Sequence, residues 1–448
     1  MLYLRLIFFI LAAYVSVIPL ACCYASHESS AQVWQVGEQR WTTEEESRYG
    51  KWIETNITED FFIRYKIPID CADVPYAIRW IYARIAHLPA AATTGHNRLI
   101  GHWSTAWGHL PTHPVWYKDR RFRAALMAML AATSTHTLPN DVYPIRVDAE
   151  SVTPGTVFLV SESHSGIVGD IIMDGSTTHP IQTFEAGMPS RLQQLRRRNF
   201  ITPDPDPLNI SGLIKFRWPV EDSKRWHYLP VNEYPFYSRE QYSLAFIKGY
   251  ADYLEAVAKR IDPTVYDPAE KITKVINTLI RRLNERIPIV LEGNRQCPAD
   301  RCPENSLLWD IYSTPCRDEF ISVIIDHLEE IIKKNHLDRD AILEKMAGIH
   351  LQITPERSVS LQYVFQNARW MASDPEATIE CRWGLDKCSI IADHMRQAQE
   401  SISFINRHYS RSDPLFAARS LRIQQAIMDE MTREGRLNQC TPPQVLVD

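Results

Sequence analysis

The sequence predicts an α+β fold in which a helix opened by a cysteine packs on a small antiparallel sheet, followed by an all-α domain stapled by disulfides. Three observations carry this expectation. Val74, Ala77, Ile78, Ile81 and Ile85 recur at helical spacing behind Cys71, the buried stripe of an α-helix. Between 141 and 218, short β-branched and aromatic runs are divided by Pro-Gly and Asp-Gly turn residues, the pattern of antiparallel hairpins. Beyond 236 the periodicity is helical, and six of the seven cysteines past residue 25 lie between 297 and 440. The chain accordingly divides into a leader at 1–25, a mixed domain at 26–235 and a helical domain at 236–448.

With 448 residues there is room for two or three domains. A composition of 45% hydrophobic and 23% charged residues is that of ordinary globular protein, and the net charge of −5 speaks against a general nucleic-acid binder. The basic run Arg196-Arg197-Arg198 reads as a solvated face. At the N-terminus, Arg5 precedes an apolar run from Leu6 to Ala21 and a small-x-small site at Cys23-Tyr24-Ala25, the pattern of a secretory signal peptide. Its rivals are an uncleaved membrane anchor, given the length of the run, and a lipoprotein site at Cys22, where Pro19 stands in place of the usual leucine. The expected location is secreted or periplasmic, with membrane contact only if the leader is retained. In an oxidising compartment Cys297, Cys302, Cys316, Cys381, Cys388 and Cys440 can form up to three disulfides. Cys71 is then the odd one out.

Taken in order, residues 26–60 are polar and aromatic with a short helix at 44–51. The helix behind Cys71 runs to about His87; Pro75 stands in its first turn, where a missing N–H costs little, and Asp70 or Asp73 supplies negative charge there. Residues 88–115 are rich in Gly, His and Trp and read as a long functional loop. A second helix at 120–134 turns Phe122, Leu126, Met129 and Leu130 inward. Strands are expected at 143–147, 156–161, 165–173, 179–185 and 210–218, with 187–205 as a polar crossover. Helices follow at 238–260, 268–285, 317–334, 339–347, 358–372, 387–408 and 415–434, with Cys-Pro and Pro-Cys pairs at the joints.

The chemistry centres on two residues. A cysteine at a helix N-terminus is favoured as thiolate by unpaired N–H groups and the positive end of the dipole. The ordinary fate of a free cysteine is instead that of a small buried hydrophobe, but an isolated thiol in a secreted chain is a liability unless it is used. A thiol nucleophile needs a base within reach and a group to orient that base. His164 opens a strand directly after a buried one, a position that holds an imidazole at the rim of a sheet.

On these residues the chain resembles the NlpC-type cell-wall peptidases, a compact branch of the papain-like cysteine hydrolases. Asp70-Cys71-Ala72-Asp73 resembles the family's Asp-Cys-Ser-Gly, departing from it at the last two positions, and Ser163-His164-Ser165-Gly166-Ile167 resembles its Ser-His-Val-Gly-Ile. The likeness covers about residues 60–190. Cys71 and His164 stand 93 positions apart, with the Gly/His/Trp passage and second helix as an insertion. The resemblance implies a papain-like (NlpC-type) domain, Cys71 as nucleophile, His164 as general base and later acid, and an orienting polar group from the next strand. Phe184-Glu185-Ala186 resembles the family's third segment and nominates Glu185. Strand alternation sets His179 on the same face and Gln182 on the other, so both Glu185 and His179 stand as candidates. An oxyanion site would combine the Cys71 N–H with an upstream tyrosine, Tyr65 or Tyr49.

His96, His102, His109 and His113 fall within 18 residues, with Asp119 beyond, but none forms the i, i+4 pair of a helical zinc site. Neither metal nor cofactor is expected, and the passage reads better as a lid over a cleft. Asn56-Ile57-Thr58 and Asn209-Ile210-Ser211 are glycosylation sequons. The expected function is a cysteine peptidase or amidase that cleaves an amide bond through an acyl-enzyme. Its partner is a peptide or amide substrate, with peptidoglycan peptide the one the resemblance implies, and no nucleic acid. The competing class is a non-catalytic secreted or envelope binding protein on the same scaffold. The partner of the helical domain is left open.

Overall fold

The computed structural model describes residues 31–161, 163–200, 210–243, 250–304 and 306–440; the leader at 1–25 and the first residue of the Asn209 sequon lie outside them. The fold is α+β. It opens with α1 (Thr43–Asn56), α2 (Phe61–Arg64) and α3 (Asp73–Ile85). The passage at 88–115 contains a hairpin, β1 (Ala91–Thr93) with β2 (Leu99–Gly101), and α4 (Arg120–Leu130) follows it. Six strands then form one antiparallel sheet: β3 (Val142–Pro144), β4 (Val157–Val160), β5 (His164–Ile171), β6 (Ile181–Glu185), β7 (Arg196–Asn199) and β8 (Gly212–Phe216), in the order β3-β8-β4-β5-β6-β7.

Strand alternation divides the sheet's side chains between two cores. Val157, Leu159, Ile167, Phe184 and Ile214 meet Val74, Ala77, Ile78 and Ile81 of α3, while Phe158, Val168, Ile181 and Leu213 face the opposite side. That second face is covered by Tyr253, Val257 and Ile261 of α5 (Tyr250–Ile261), which lies beyond residue 236. A further hairpin, β9 (Pro219–Asp222) with β10 (Arg225–Tyr228), stacks Trp226 on Trp103.

The helix behind Cys71 is buried on more than the expected stripe: every residue from Asp73 to Arg84 is buried. Its polar side is closed by ion pairs. Arg79 meets Glu46 of α1 (2.7 Å) and lies over the Trp41 ring, and Arg84 meets Asp119 (2.9 Å). A buried charge needs such a partner, so α3 is an axle with neighbours all round it.

The helical half comprises α6 (Pro268–Gln296), α7 (Leu307–Tyr312), α8 (Pro315–Lys334), α9 (Arg339–Ala347), α10 (Leu361–Asn367), α11 (Ile379–Arg382), α12 (Lys387–His408) and α13 (Pro414–Leu437). It is not all-α. A hairpin, β11 (His350–Thr354) with β12 (Arg357–Ser360), occupies ground expected to begin a helix at 358. Leu351, Ile353 and Val359 are its buried residues, a period of two that the helical surroundings masked. Two disulfides form, Cys297–Cys302 and Cys388–Cys440. A third bridge, which six cysteines would allow, does not form: Cys316 and Cys381 are thiols, the first at the seam with β7 and the second packed under α12 against Trp370 and Ile390. Cys71 is therefore one of three unpaired thiols among the described residues.

Candidate active site

The turn before α3 places Cys71. Asp70 Oδ1 accepts the N–H groups of Ala72 (3.0 Å) and Asp73 (3.2 Å), and Asp73 Oδ2 accepts the Asp70 N–H (2.9 Å). This is a reciprocal capping box built from two aspartates. It satisfies the donors on either side of Cys71 and leaves that residue's own N–H outside the cap. Burial, with the Asp70 charge adding to it, pushes the Asp73 carboxyl up to about 7.

Two segments then hold the turn against the sheet. Ser165 Oγ, buried on β5, donates to the Cys71 carbonyl at 3.0 Å. The connection from β6 to β7 closes from the other side: Ile69 and Arg191 exchange backbone hydrogen bonds of 2.9 and 3.1 Å, and Ser190 Oγ donates to Asp73 Oδ2 at 3.2 Å. Cys71 is 3% exposed.

His164 opens β5 beside it. The bond from Ser165 to the Cys71 carbonyl sets the adjacent His164 beside the thiol, which acts on its ring, and the ring Nε2 is paired with Glu185 Oε2. The β5–β6 register sets Glu185 opposite Gly166, a diagonal neighbour of His164 within reach of long side chains. The thiol contact, then the Glu185 carboxylate, push the His164 ring up to about 9 against the opposing effect of burial, so imidazolium is its favoured form at neutral pH. Glu185 is itself buried, and its other oxygen pairs with Arg198 Nε of β7. Arg198 Nη1 continues to Glu319 of α8 at 3.4 Å.

Cys71, His164 and Glu185 are thus brought together, and His179 is not. The register pairs Ile181 with Ile171, so His179 lies past the far end of β6 from Glu185. It is buried against Phe200 (ring centroids 4.7 Å), its Nδ1 accepts the Ile181 N–H, and burial lowers its ring to about 4. Shared strand parity said nothing about distance along the strand. Tyr65 packs on Trp116 (4.7 Å) and Tyr49 on Tyr82 (5.1 Å), both in the aromatic layer around α3. The histidines of the 88–115 passage are dispersed. His102 is buried among Trp34, Trp103 and Trp226, His113 accepts the Val115 N–H, and His96 and His109 are exposed.

Three contributors went unforeseen: Ser165, Ser190 and Arg198. Ser165 lies inside the Ser-His-Ser-Gly run, but its partner is a backbone carbonyl 94 positions away. Arg198 was hidden in a triad that reads as solvated, yet Arg197 meets Glu59 (3.0 Å) and lies over Phe184 while Arg198 meets Glu185. An imidazole set beside a thiol and paired with a carboxylate can shuttle a proton to and from a sulfur nucleophile. Compared with protein-family models, curated proteins and solved structures, the chain matches none.

Proposed function

We propose that the protein is a cysteine hydrolase that cleaves an amide bond through a Cys71 acyl-enzyme on a papain-like scaffold. The observation that carries this reading is the His164 imidazole, paired with the buried Glu185 carboxylate and set beside Cys71 by the Ser165 bond to the Cys71 carbonyl. Cys71 Sγ, its proton transferred to His164, attacks the carbonyl carbon. The tetrahedral intermediate collapses as His164 protonates the leaving amine and the C–N bond breaks. Water, deprotonated by His164, then attacks the thioester, releasing the acid and restoring the thiol. Glu185 holds the ring and stabilises the imidazolium. The Cys71 N–H, left outside the capping box, is the donor proposed for the oxyanion. Cell-wall peptide is the proposed substrate. The two disulfides support an oxidising, secreted or periplasmic setting, and among the described residues no helix is long and apolar enough to cross a membrane.

A second reading, a binding protein on the same scaffold, is favoured by the near-complete burial of Cys71. Incubating the protein and Cys71→Ala with a cell-wall peptide digest separates the two. The hydrolase reading requires new masses, each a substrate amide plus water, that are absent with the variant. A digest bound but unchanged supports the binder.

A further inference from the structure

The last two helices form an arm. α12 and α13 run antiparallel and are stapled at one end by Cys388–Cys440. At that end Ile390, Ile391 and Met431 pack with Trp370 and Cys381 of the body, and Arg369 meets Glu434 (2.9 Å). The 22 residues of α12 carry the chain away from this base, about 33 Å at the rise of an α-helix.

The far end of the arm is chemically unlike its shaft. Phe404, Tyr409 and Phe416 form an exposed aromatic cluster, with ring centroids 6.0 and 4.9 Å apart. Leu415 beside it is 85% exposed and Ile423 is 53% exposed. Between 404 and 423 there are four arginines and one carboxylate, and that carboxylate, Asp413, is engaged in capping α13 through the Phe416 N–H (3.0 Å). On the shaft Arg396 pairs with Asp393 and Glu400. None of Arg407, Arg411, Arg419 and Arg422 has a carboxylate partner among the described residues.

We propose that the tip of this arm docks on an anionic lipid bilayer. Exposed aromatic and leucine side chains at a helix-hairpin end suit the acyl–headgroup boundary, and unpaired arginines among them suit anionic headgroups. The arm lies on the surface and does not span it. The docking site is separate from Cys71, so its test is independent of the hydrolase reading.

Flotation of the full chain with vesicles tests it, using phosphatidylcholine alone and phosphatidylcholine mixed with phosphatidylglycerol. Binding is expected to the mixed vesicles, to weaken with added salt, and to fall at least about tenfold in Leu415→Glu/Phe416→Glu and in Arg407→Glu/Arg411→Glu. Arg396→Glu on the shaft is expected to bind as the parent does. Phe416→Trp is expected to shift its emission to the blue on mixed vesicles. All these positions are exposed, so folding is preserved. Absence of vesicle binding, or equal loss in the shaft variant, overturns the proposal. So does self-association in sedimentation velocity that the tip variants abolish while vesicles go unbound, which would assign the tip to a second copy.

Discussion

His164 sits between a thiol and a carboxylate, and its charge state follows from both. Its folded value of about 9 lies above the ordinary 6.5, so this contribution to stability is fully present below 6.5 and is lost as pH rises through 9. In the proposed reaction the same sign governs turnover, because there the protonated ring is the acid that releases the amine. In Glu185→Gln the charged partner is gone, and the alkaline edge of the pH–rate profile is expected to move down from near 9 toward 6.5. Rates measured across that range check it; an unmoved edge would mean Glu185 does not govern the ring. Ser165 acts on the backbone instead of the ring. Ser165→Ala removes one buried hydrogen bond to the Cys71 carbonyl and is expected to cost about 1 kcal/mol in urea unfolding, with a fall in turnover larger than that loss explains.

Elements were legible where one local period sufficed. Helices lie at 339–347 and 387–408, as expected, each capped in the structure by an aspartate, Asp338 or Asp386, and the strands flanking His164 lie where their apolar runs stand. Legibility failed where long-range contacts decide. β7 is Arg-Arg-Arg-Asn, with no apolar alternation, and is a strand because β6 offers it a paired edge and Glu59, Glu185 and Phe184 take up its guanidinium groups. Within the site, Cys71 and His164 could be read from their local settings. Choosing Glu185 over His179 needed the register of the hairpin, which no local pattern contains. β8 likewise enters between β3 and β4 although it is last in sequence. Turn chemistry can be tested at Gly155, which has φ of +89° and where a Cβ would stand 2.5 Å from the Tyr49 ring. Gly155→Ala is expected to destabilise by about 1–3 kcal/mol, read from the urea midpoint.

At the scale of the molecule, the helical half docks on the open edge of the sheet. α8 packs along β7, and the seam is charged: Arg191 with Asp310, Arg197 and Arg317 with Glu59, Arg198 with Glu319. Covering that edge blocks pairing with another chain, and it ties α8 to Glu185 through Arg198. The arm at the chain's end is held by one bridge that closes 52 residues. Replacing Cys388 and Cys440 by serine is expected to cost the arm about 3–5 kcal/mol, seen as protease cleavage within 388–440 while the reactivity of Cys71 is unchanged. Cleavage spreading into the sheet would show that the arm also supports the body.

The most direct test of the coupled pair is the rate at which iodoacetamide labels Cys71 near neutral pH, followed by peptide mapping so that Cys316 and Cys381 are counted separately. A thiol served by His164 is expected to label quickly in the parent and at least about tenfold more slowly in His164→Ala. Equal rates in the two proteins, or a Cys71 that stays unlabelled while the protein is folded, would contradict the account.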